Sequence, residues 1–159
     1  MLYLWFLRFY GWLPTSIRYR AVRLFKPSYT VGTIPFVIRS DGRVLLVRHS
    51  YKQGWATPGG FVNRNELPQD AAVREAREEV GLGVRTIGEP MVVVDARTQR
   101  VEIVLIAELL TGVDPDTARA ASVEIVEVAW FDLEDLPDLQ EETMAAWSAI
   151  ERSGRLSLP

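Results

Sequence analysis

Three glutamates, Glu75, Glu78 and Glu79, stand at positions i, i+3 and i+4 of a stretch with helical character. That spacing gathers three carboxylates on one helical face. Like charges so close repel one another, and solubility alone would not select the arrangement. A bound hard cation would turn repulsion into attraction, and oxygen donors of this kind suit magnesium or manganese. The string Arg-Glu-Ala-Arg-Glu-Glu is also ordinary on solvated helices, where it only adds ion pairs four residues apart. The flanking residues decide between the two readings.

Residues 67–80 read as a helix with Asn65 as cap, Pro68 in the first turn and Gly81 as terminator. On a wheel of 100° per residue, Ala72, Val73, Ala76 and Val80 form an apolar arc beside the carboxylates, with Arg74 and Arg77 on the remaining side. One face can then pack on a sheet while the carboxylates open onto a cleft. Ala71 would leave room near them for ions and phosphates, and Arg74 is spaced to pair with Glu78. Upstream, Gly59 and Gly60 let the backbone approach another group closely or take a positive φ.

These residues resemble the Nudix box, G-x5-E-x7-R-E-U-x-E-E-x-G-U with U a bulky aliphatic. Gly60, Glu66, Arg74, Glu75, Ala76, Glu78, Glu79, Gly81 and Leu82 stand at its spacings, and only Ala76 departs from it, being smaller than the usual aliphatic. The resemblance extends to residues 55–60, similar to a W-x-x-PGG run before the box, and to residues 124–137, similar to a late strand, aromatic pair and short helix. It covers residues 29–150. The fold it implies is α/β, an α/β/α sandwich around a mixed sheet, here with an N-terminal helical extension.

The resemblance also implies an activity: metal-assisted attack of water on a pyrophosphate linkage in a nucleotide or nucleoside diphosphate derivative. The metal positions would fall to Glu75, Glu78, Glu79 and the Gly60 carbonyl, with Mg2+ the expected ion and Mn2+ its alternative. Glu66 matches a position that supports the site. The general base is open between Glu75 and Glu124, whose place six residues before Trp130 resembles that of an extra carboxylate in mutator-type members. Glu124 reads equally as an exposed strand residue. Arg48, Lys52 and Arg64 are candidates to meet phosphates, and Tyr51, Trp55 and Trp130 to contact a base, although solvated charge and core packing explain the same residues. His49, the single histidine, is expected in a loop or at the substrate's edge.

Substrate signals are fewer. Residues 97 and 98 are Arg and Thr, where dinucleoside polyphosphate and ADP-ribose hydrolases of the family carry tyrosine or proline. The motif linked to coenzyme A is absent as well. Nucleoside triphosphates remain by elimination. The rivals are a 5′-end RNA pyrophosphohydrolase and a nucleotide-binding module without hydrolysis, which a damaged box would have favoured. The isomerase branch of the family uses a cysteine, and this chain has none.

The elements that must position these residues follow from periodicity and turn chemistry. Residues 30–38 and 43–49 are β-rich and flank Ser40-Asp41-Gly42, a hairpin signal. Residues 90–96 and 101–110 read as two further strands, the second apolar on both faces and so expected at the sheet's centre. Residues 122–131 read as a last strand and 138–152 as a closing helix burying Leu139, Met144, Trp147 and Ile150. The 159 residues suit one domain, divided as an arm (1–28), a hydrolase domain (29–153) and a frayed tail (154–159).

Charge separates the arm from the domain. Residues 1–40 hold six basic residues and no acid, while the rest holds 12 basic and 21 acidic, for a net charge of −3. Residues 1–13 are apolar and aromatic but shorter than the ~20 apolar residues of a spanning helix, and they lack the pattern of a secretory signal. Pro14 breaks the run, and Thr15 or Ser16 would cap a second helix ending near Lys26. The arm is then a hairpin packed on the domain, a homodimer contact, or an anchor of residues 1–26 on a membrane surface. The lack of cysteine fits a cytoplasmic setting, peripheral at the membrane if the arm docks there.

Overall fold

The computed structural model describes residues 5, 8 and 10–154. Among the described residues the main elements follow in the order α1 (Thr15–Phe25), β1 (Thr30–Ile38), β2 (Val44–His49), α2 (Pro68–Val80), β3 (Val84–Asp95), β4 (Arg100–Leu109), β5 (Ile125–Phe131) and α3 (Glu141–Ser153), with a short 3-10 helix at Pro115–Thr117 and helical backbone at residues 10–12 before α1. The strands form one sheet in the order β3-β4-β1-β2-β5. β1 runs parallel to β4, and every other neighbouring pair is antiparallel.

Period-two alternation sorts each strand's side chains between two cores. Val37, Leu45, Val47 and Ala107 face α2, where Ala76 and Val80 meet them. Ile34, Phe36, Val44, Leu46 and Val104 face the other way, against Ala146 and Ile150 of α3. The result is an α/β/α sandwich around a mixed sheet, as the sequence implied. Ala76 is fully buried, so the small residue lets α2 lie close on the sheet.

The hairpin of β1 and β2 forms as expected, with Gly42 at φ 86° in its turn. Several boundaries differ. β3 starts at Val84 rather than residue 90, because Val84–Ile87 pairs with the end of β4 and a register shift between Ile87 and Met91 absorbs Gly88, Glu89 and Pro90. A bulge accommodates the glycine and the proline within one strand. The middle of the sheet is β1, with β4 beside it. β5 starts at Ile125, since residues 122–124 turn before it. Leu67, not Asn65, is the N-cap of α2 and makes no side-chain cap bond; Asn65 takes a left-handed φ of 64° instead. In α3, Ile150 is fully buried but Met144 is half exposed, because it points away from the sheet.

The second arm helix is present as α1, with Pro14 rather than Thr15 or Ser16 as its N-cap. The first half of the proposed hairpin falls largely on residues 1–4, 6, 7 and 9, outside the described residues, as do residues 155–159 of the tail. Among the described residues no helix is long and apolar enough to cross a membrane.

Leu45 and Leu46 are both fully buried, one in each core. Either Leu→Ala substitution should lower unfolding stability by about 2–5 kcal/mol, read from urea denaturation. A loss under 1 kcal/mol at both positions would contradict the two-core packing.

Candidate active site

At the end of the sheet where β1 and β4 begin, a cleft of about 490 Å³ opens between the two helical layers. Glu75, Glu78, Glu79 and Glu124 line one side, and Arg100, Glu102, Gln140, Glu142 and Thr143 line the other. His49, Tyr51, Lys52, Thr33 and the Gly59–Phe61 backbone complete its walls.

The glutamate side is held by Arg74. Its Nε and Nη2 donate to the two oxygens of Glu66 at 2.8 and 3.0 Å, a paired fork. Its Nη1 donates to Glu75 Oε1 at 2.7 Å and to Glu78 Oε2 at 3.3 Å, and Nη2 also reaches the Phe61 carbonyl at 3.1 Å. One guanidinium thus orders three carboxylates and a loop. Arg74 and the Asn63 N–H, 2.8 Å from Glu66 Oε2, hold the Glu66 carboxyl down at about 2. Glu66 is therefore anchored in its charged form, and the Arg74 guanidinium is correspondingly raised in pKa, chiefly by Glu66.

Glu79 is the opposite case. It is 8% exposed, and Oε2 accepts the Gly59 N–H at 3.1 Å. Burial, reinforced by the Glu75, Glu124 and Glu78 charges, pushes its carboxyl up to about 7, against the opposing Gly59 bond. Glycine is sterically required at residue 59, where a Cβ would lie 2.3 Å from the Thr33 carbonyl oxygen, and a Cβ at residue 60 would displace the Glu75 carboxylate. The Gly60 carbonyl accepts the Thr33 N–H at 2.8 Å, which ties the loop to β1.

Among the described residues, no three acidic or histidine side chains form a ready-made metal cage. Arg74 engages Glu75 and Glu78, and Gly59 engages Glu79. The donor set nevertheless suits a hard divalent cation: every donor is oxygen, and one is a buried carboxylate whose charge lacks a counter-ion. Glu75, Glu78, Glu79 and the Gly60 carbonyl could hold it.

Glu124 sits in the turn before β5 rather than in the strand, exposed at the cleft. Its Oε2 accepts the Tyr51 hydroxyl at 3.2 Å, and its carbonyl accepts the Ser50 N–H at 2.8 Å. Tyr51 therefore belongs to the cleft as a positioner of Glu124. His49 Nδ1 lies 3.2 Å from Gln140 Nε2. With that amide as donor, the ring's proton lies on Nε2. Burial, then the Lys52 charge, lowers the imidazole pKa, so the ring is neutral near pH 7.

Four sequence candidates do not line the cleft. Arg48 pairs with Glu127 at 2.8 Å and lies over the Trp55 ring. Trp55 packs edge-on against Phe131, 4.7 Å between centroids, within the α3-side core. Trp130 packs on the α2-side core and donates its indole N–H to the Pro115 carbonyl at 3.1 Å. Arg64 is exposed in the loop before α2, off the cleft. Alternation explains the tryptophan: adjacent residues of a strand face opposite layers, and neither face of β5 at Trp130 reaches the cleft.

Sequence reasoning passed over Arg100, Glu102, Gln140, Glu142 and Thr143. One signal was present, a glutamate at the start of a strand otherwise apolar on both faces. Arg100 opens the same strand, while Gln140, Glu142 and Thr143 stand at the N-terminal end of α3, which only the sandwich brings to the opposite wall.

Mixed sheet, two helical layers and a carboxylate helix held by an arginine over a Gly-Gly loop define a hydrolase class, and comparison bears this out. The NUDIX domain model matches residues 28–151. The chain is 31% identical over 126 residues to a MutT-like protein of Streptomyces ambofaciens, covering 78% of this chain and 75% of that protein. It is 49% identical over 59 residues to an RNA pyrophosphohydrolase of Halorhodospira halophila, a match spanning 37% of this chain and only 30% of that protein. Among solved structures, a MutT NUDIX hydrolase from Burkholderia pseudomallei superposes with a TM-score of 0.62 at 27% identity, over 78% of this chain and 99% of that one. The chain belongs to the NUDIX family of hydrolases.

The Glu79 carboxyl is raised from 4.5 to about 7, so between these values the folded state holds more protons than the unfolded one. Stability of the metal-free protein should then fall as pH rises from 4.5 to 7. Glu79→Gln keeps an acceptor for the Gly59 N–H and removes the buried charge. It should raise the metal-free melting temperature at pH 8 by a few degrees and flatten its pH dependence. An unchanged or lowered melting temperature at pH 8 would refute the assignment.

Proposed function

We propose that the protein hydrolyses the pyrophosphate linkage of a nucleoside triphosphate or a related nucleoside diphosphate derivative, with Mg2+ as its cofactor and Mn2+ as a substitute. The observation that carries this reading is the Arg74 network, which holds Glu66, Glu75 and Glu78 in order beside the buried Glu79. A nucleotide-binding module without hydrolysis would have no use for that concentration of negative charge.

When bound, a divalent ion would neutralise phosphate charge and acidify the attacking water. The chain's own groups do the rest. Glu75, Glu78, Glu79 and the Gly60 carbonyl offer the ligands, and Glu66 keeps Arg74 from drifting off them. Glu124 is the general base in this reading: it is exposed to the cleft, and the Tyr51 hydroxyl bond leaves its second oxygen free to accept a proton. Glu75 is less suited, since Arg74 Nη1 sits 2.7 Å from it. Lys52 and Arg100 are the cations lining the cleft, placed to meet phosphate oxygens in an otherwise acidic site.

A triphosphorylated RNA 5′ end carries the same linkage, and the short match to an RNA pyrophosphohydrolase favours it as a second substrate reading. Partnership is proposed for the arm as well. Trp12, Tyr19 and Leu24 are 82, 67 and 81% exposed, on a segment with five basic residues and no acid through residue 26. Exposed aromatics interleaved with cations suit an anionic lipid surface.

A panel of nucleotides, nucleoside diphosphate derivatives and triphosphorylated RNA, assayed with Mg2+ and then Mn2+ with products identified by mass, should show cleavage between phosphates. Glu78→Gln and Glu79→Gln should nearly abolish it with the fold intact, and Glu124→Gln should lower kcat by about 100-fold or more. Full turnover by both Glu78 and Glu79 variants at saturating Mg2+ would sink the reading. For the arm, flotation should recover the protein with vesicles containing phosphatidylglycerol, less so in high salt, and not with phosphatidylcholine alone. A protein that stays unbound to anionic vesicles, or whose arm instead mediates a dimer by light scattering, would remove the lipid proposal.

A further inference from the structure

The cations that line the cleft are already paired within the chain. The Lys52 ammonium sits 3.1 Å from Glu142, and the Arg100 guanidinium is paired with Glu102 and stands 3.9 Å from Glu142. A phosphate would share each of them with a carboxylate. His49, the single histidine of the chain, is placed differently. It lines the same cleft, and one of its two ring nitrogens is unused. Nδ1 lies 3.2 Å from the Gln140 amide nitrogen, while Nε2 makes no hydrogen bond among the described residues.

Local structure fixes the ring in this state. The pairing of β2 with β5 shifts register between Arg48 and His49, passing from Glu127 to Ile125. A bulge of this kind increases the local twist and re-aims side chains. Arg48 pairs with Glu127 off the cleft, and His49 lines it. Gln140, 8% exposed, is the N-cap of α3 and is tied to the loop before the box by its backbone N–H, which donates to the Trp55 carbonyl at 2.8 Å. Its side-chain nitrogen also lies 3.4 Å from the Gly54 carbonyl oxygen. A carbonyl can only accept, so the group facing both Gly54 and His49 is the amide NH2, with one hydrogen for each. Nδ1 therefore accepts, and the neutral ring carries its proton on Nε2. Burial, then the Lys52 charge, holds the imidazole below its ordinary pKa against the opposing Glu124 and Glu142 charges.

A neutral N–H is a donor that an anion can meet without breaking an ion pair. The neighbours of His49 lead to the carboxylates of α2. The Tyr51 ring lies 5.4 Å from the imidazole, and its hydroxyl is 3.2 Å from Glu124 Oε2. The same hydroxyl is near enough to Glu79 for that charge to raise its pKa, after burial and Glu124. We propose that His49 Nε2–H donates to a non-bridging oxygen of the substrate's diphosphate, and that Gln140 is the positioning residue that keeps the proton on Nε2. The proton stays on the ring, because a neutral imidazole is far too weak an acid to give it to a phosphate. The bond instead places the diphosphate and stabilises charge on its oxygens. A donor fixed beforehand by a buried amide needs no reorganisation when the anion arrives. This deepens the pyrophosphohydrolase reading and rests on it for the identity of the bound anion.

With a single histidine in the chain, imidazole nitrogen NMR of the histidine-labelled full-length protein reads this ring alone. At pH 8 the spectrum should show the Nε2–H tautomer. Titration with methylenediphosphonate and Mg2+, whose P–C–P bridge water cannot cleave, should shift the Nε2 signal as its N–H gains a charged acceptor. Gln140→Leu should mix the two tautomers and weaken that shift. On a nucleotide that turns over, His49→Ala should lower kcat/KM by about 10–100-fold, the range of one hydrogen bond to a charged group. His49→Gln, which can carry an N–H close to the Nε2 position, should recover most of the loss, and circular dichroism confirms that each variant is folded. An Nδ1–H tautomer in the wild-type protein, an Nε2 signal that the diphosphonate leaves unmoved, or undiminished turnover in folded His49→Ala would overturn the proposal. Hydrolysis of the nucleotide panel is read separately by product mass. Turnover with an unmoved Nε2 signal removes only the histidine's role, and a shifted signal without turnover removes only the hydrolase reading.

Discussion

The site depends on a problem of charge. Glu66, Glu75, Glu78 and Glu79 converge on a few ångströms of one helix and its approach, and nothing in the core can neutralise them. Arg74 is the answer within the chain. Its fork holds Glu66, its remaining donors hold Glu75 and Glu78, and one also reaches the Phe61 carbonyl. Charge-assisted bonds of this kind are short and directional, so the guanidinium sets where the carboxylates point as well as compensating them. Glu79 lies beyond its reach, buried and held only by the Gly59 N–H. It is left as the uncompensated charge that a cation would satisfy.

The rest of the fold carries that arrangement to a cleft. Small residues on α2, with Ala72 and Ala76 fully buried, bring the helix close to the sheet. The Gly59–Gly60 backbone passes so near Thr33 and Glu75 that side chains there would clash. The parallel pairing of β1 with β4 starts both strands at the same end of the sheet, which sets Arg100 and Glu102 across from the glutamate helix. α3 closes the second wall with Gln140, Glu142 and Thr143. A cleft built this way has two chemically different sides: a cluster of carboxylates ordered by Arg74 on one, and Arg100 ion-paired with the buried Glu102 on the other.

Much of this was legible in the residue order. The box motif, the glycines before it and the Gly81 stop led to the correct helix, family and sandwich, because helical spacing and backbone-specific glycines are local facts. The Ser40-Asp41-Gly42 hairpin was legible for the same reason. What misled were local signals with more than one solution. The strand pattern begins at residue 90, yet β3 starts at Val84 and carries Gly88-Glu89-Pro90 in a bulge, and Asn65 reads as a cap yet takes a left-handed turn position. Trp55, Trp130 and Arg48 read as ligand contacts by type alone. Their packing against Phe131, Pro115 and Glu127 removes them from the cleft.

The carboxylate wall of the cleft was therefore determined by sequence alone: three carboxylates on one face, a supporting arginine and a glycine loop. A single helix and its flanks encode all of it, within 23 residues of the chain. The opposite wall was decided only by tertiary structure. Gly32, Phe61, Arg100, Glu102 and Glu142 span more than a hundred residues, and no spacing rule links them. They meet because a parallel strand pair and a closing helix bring distant segments to one end of the sheet, where a glycine leaves room for a buried carboxylate.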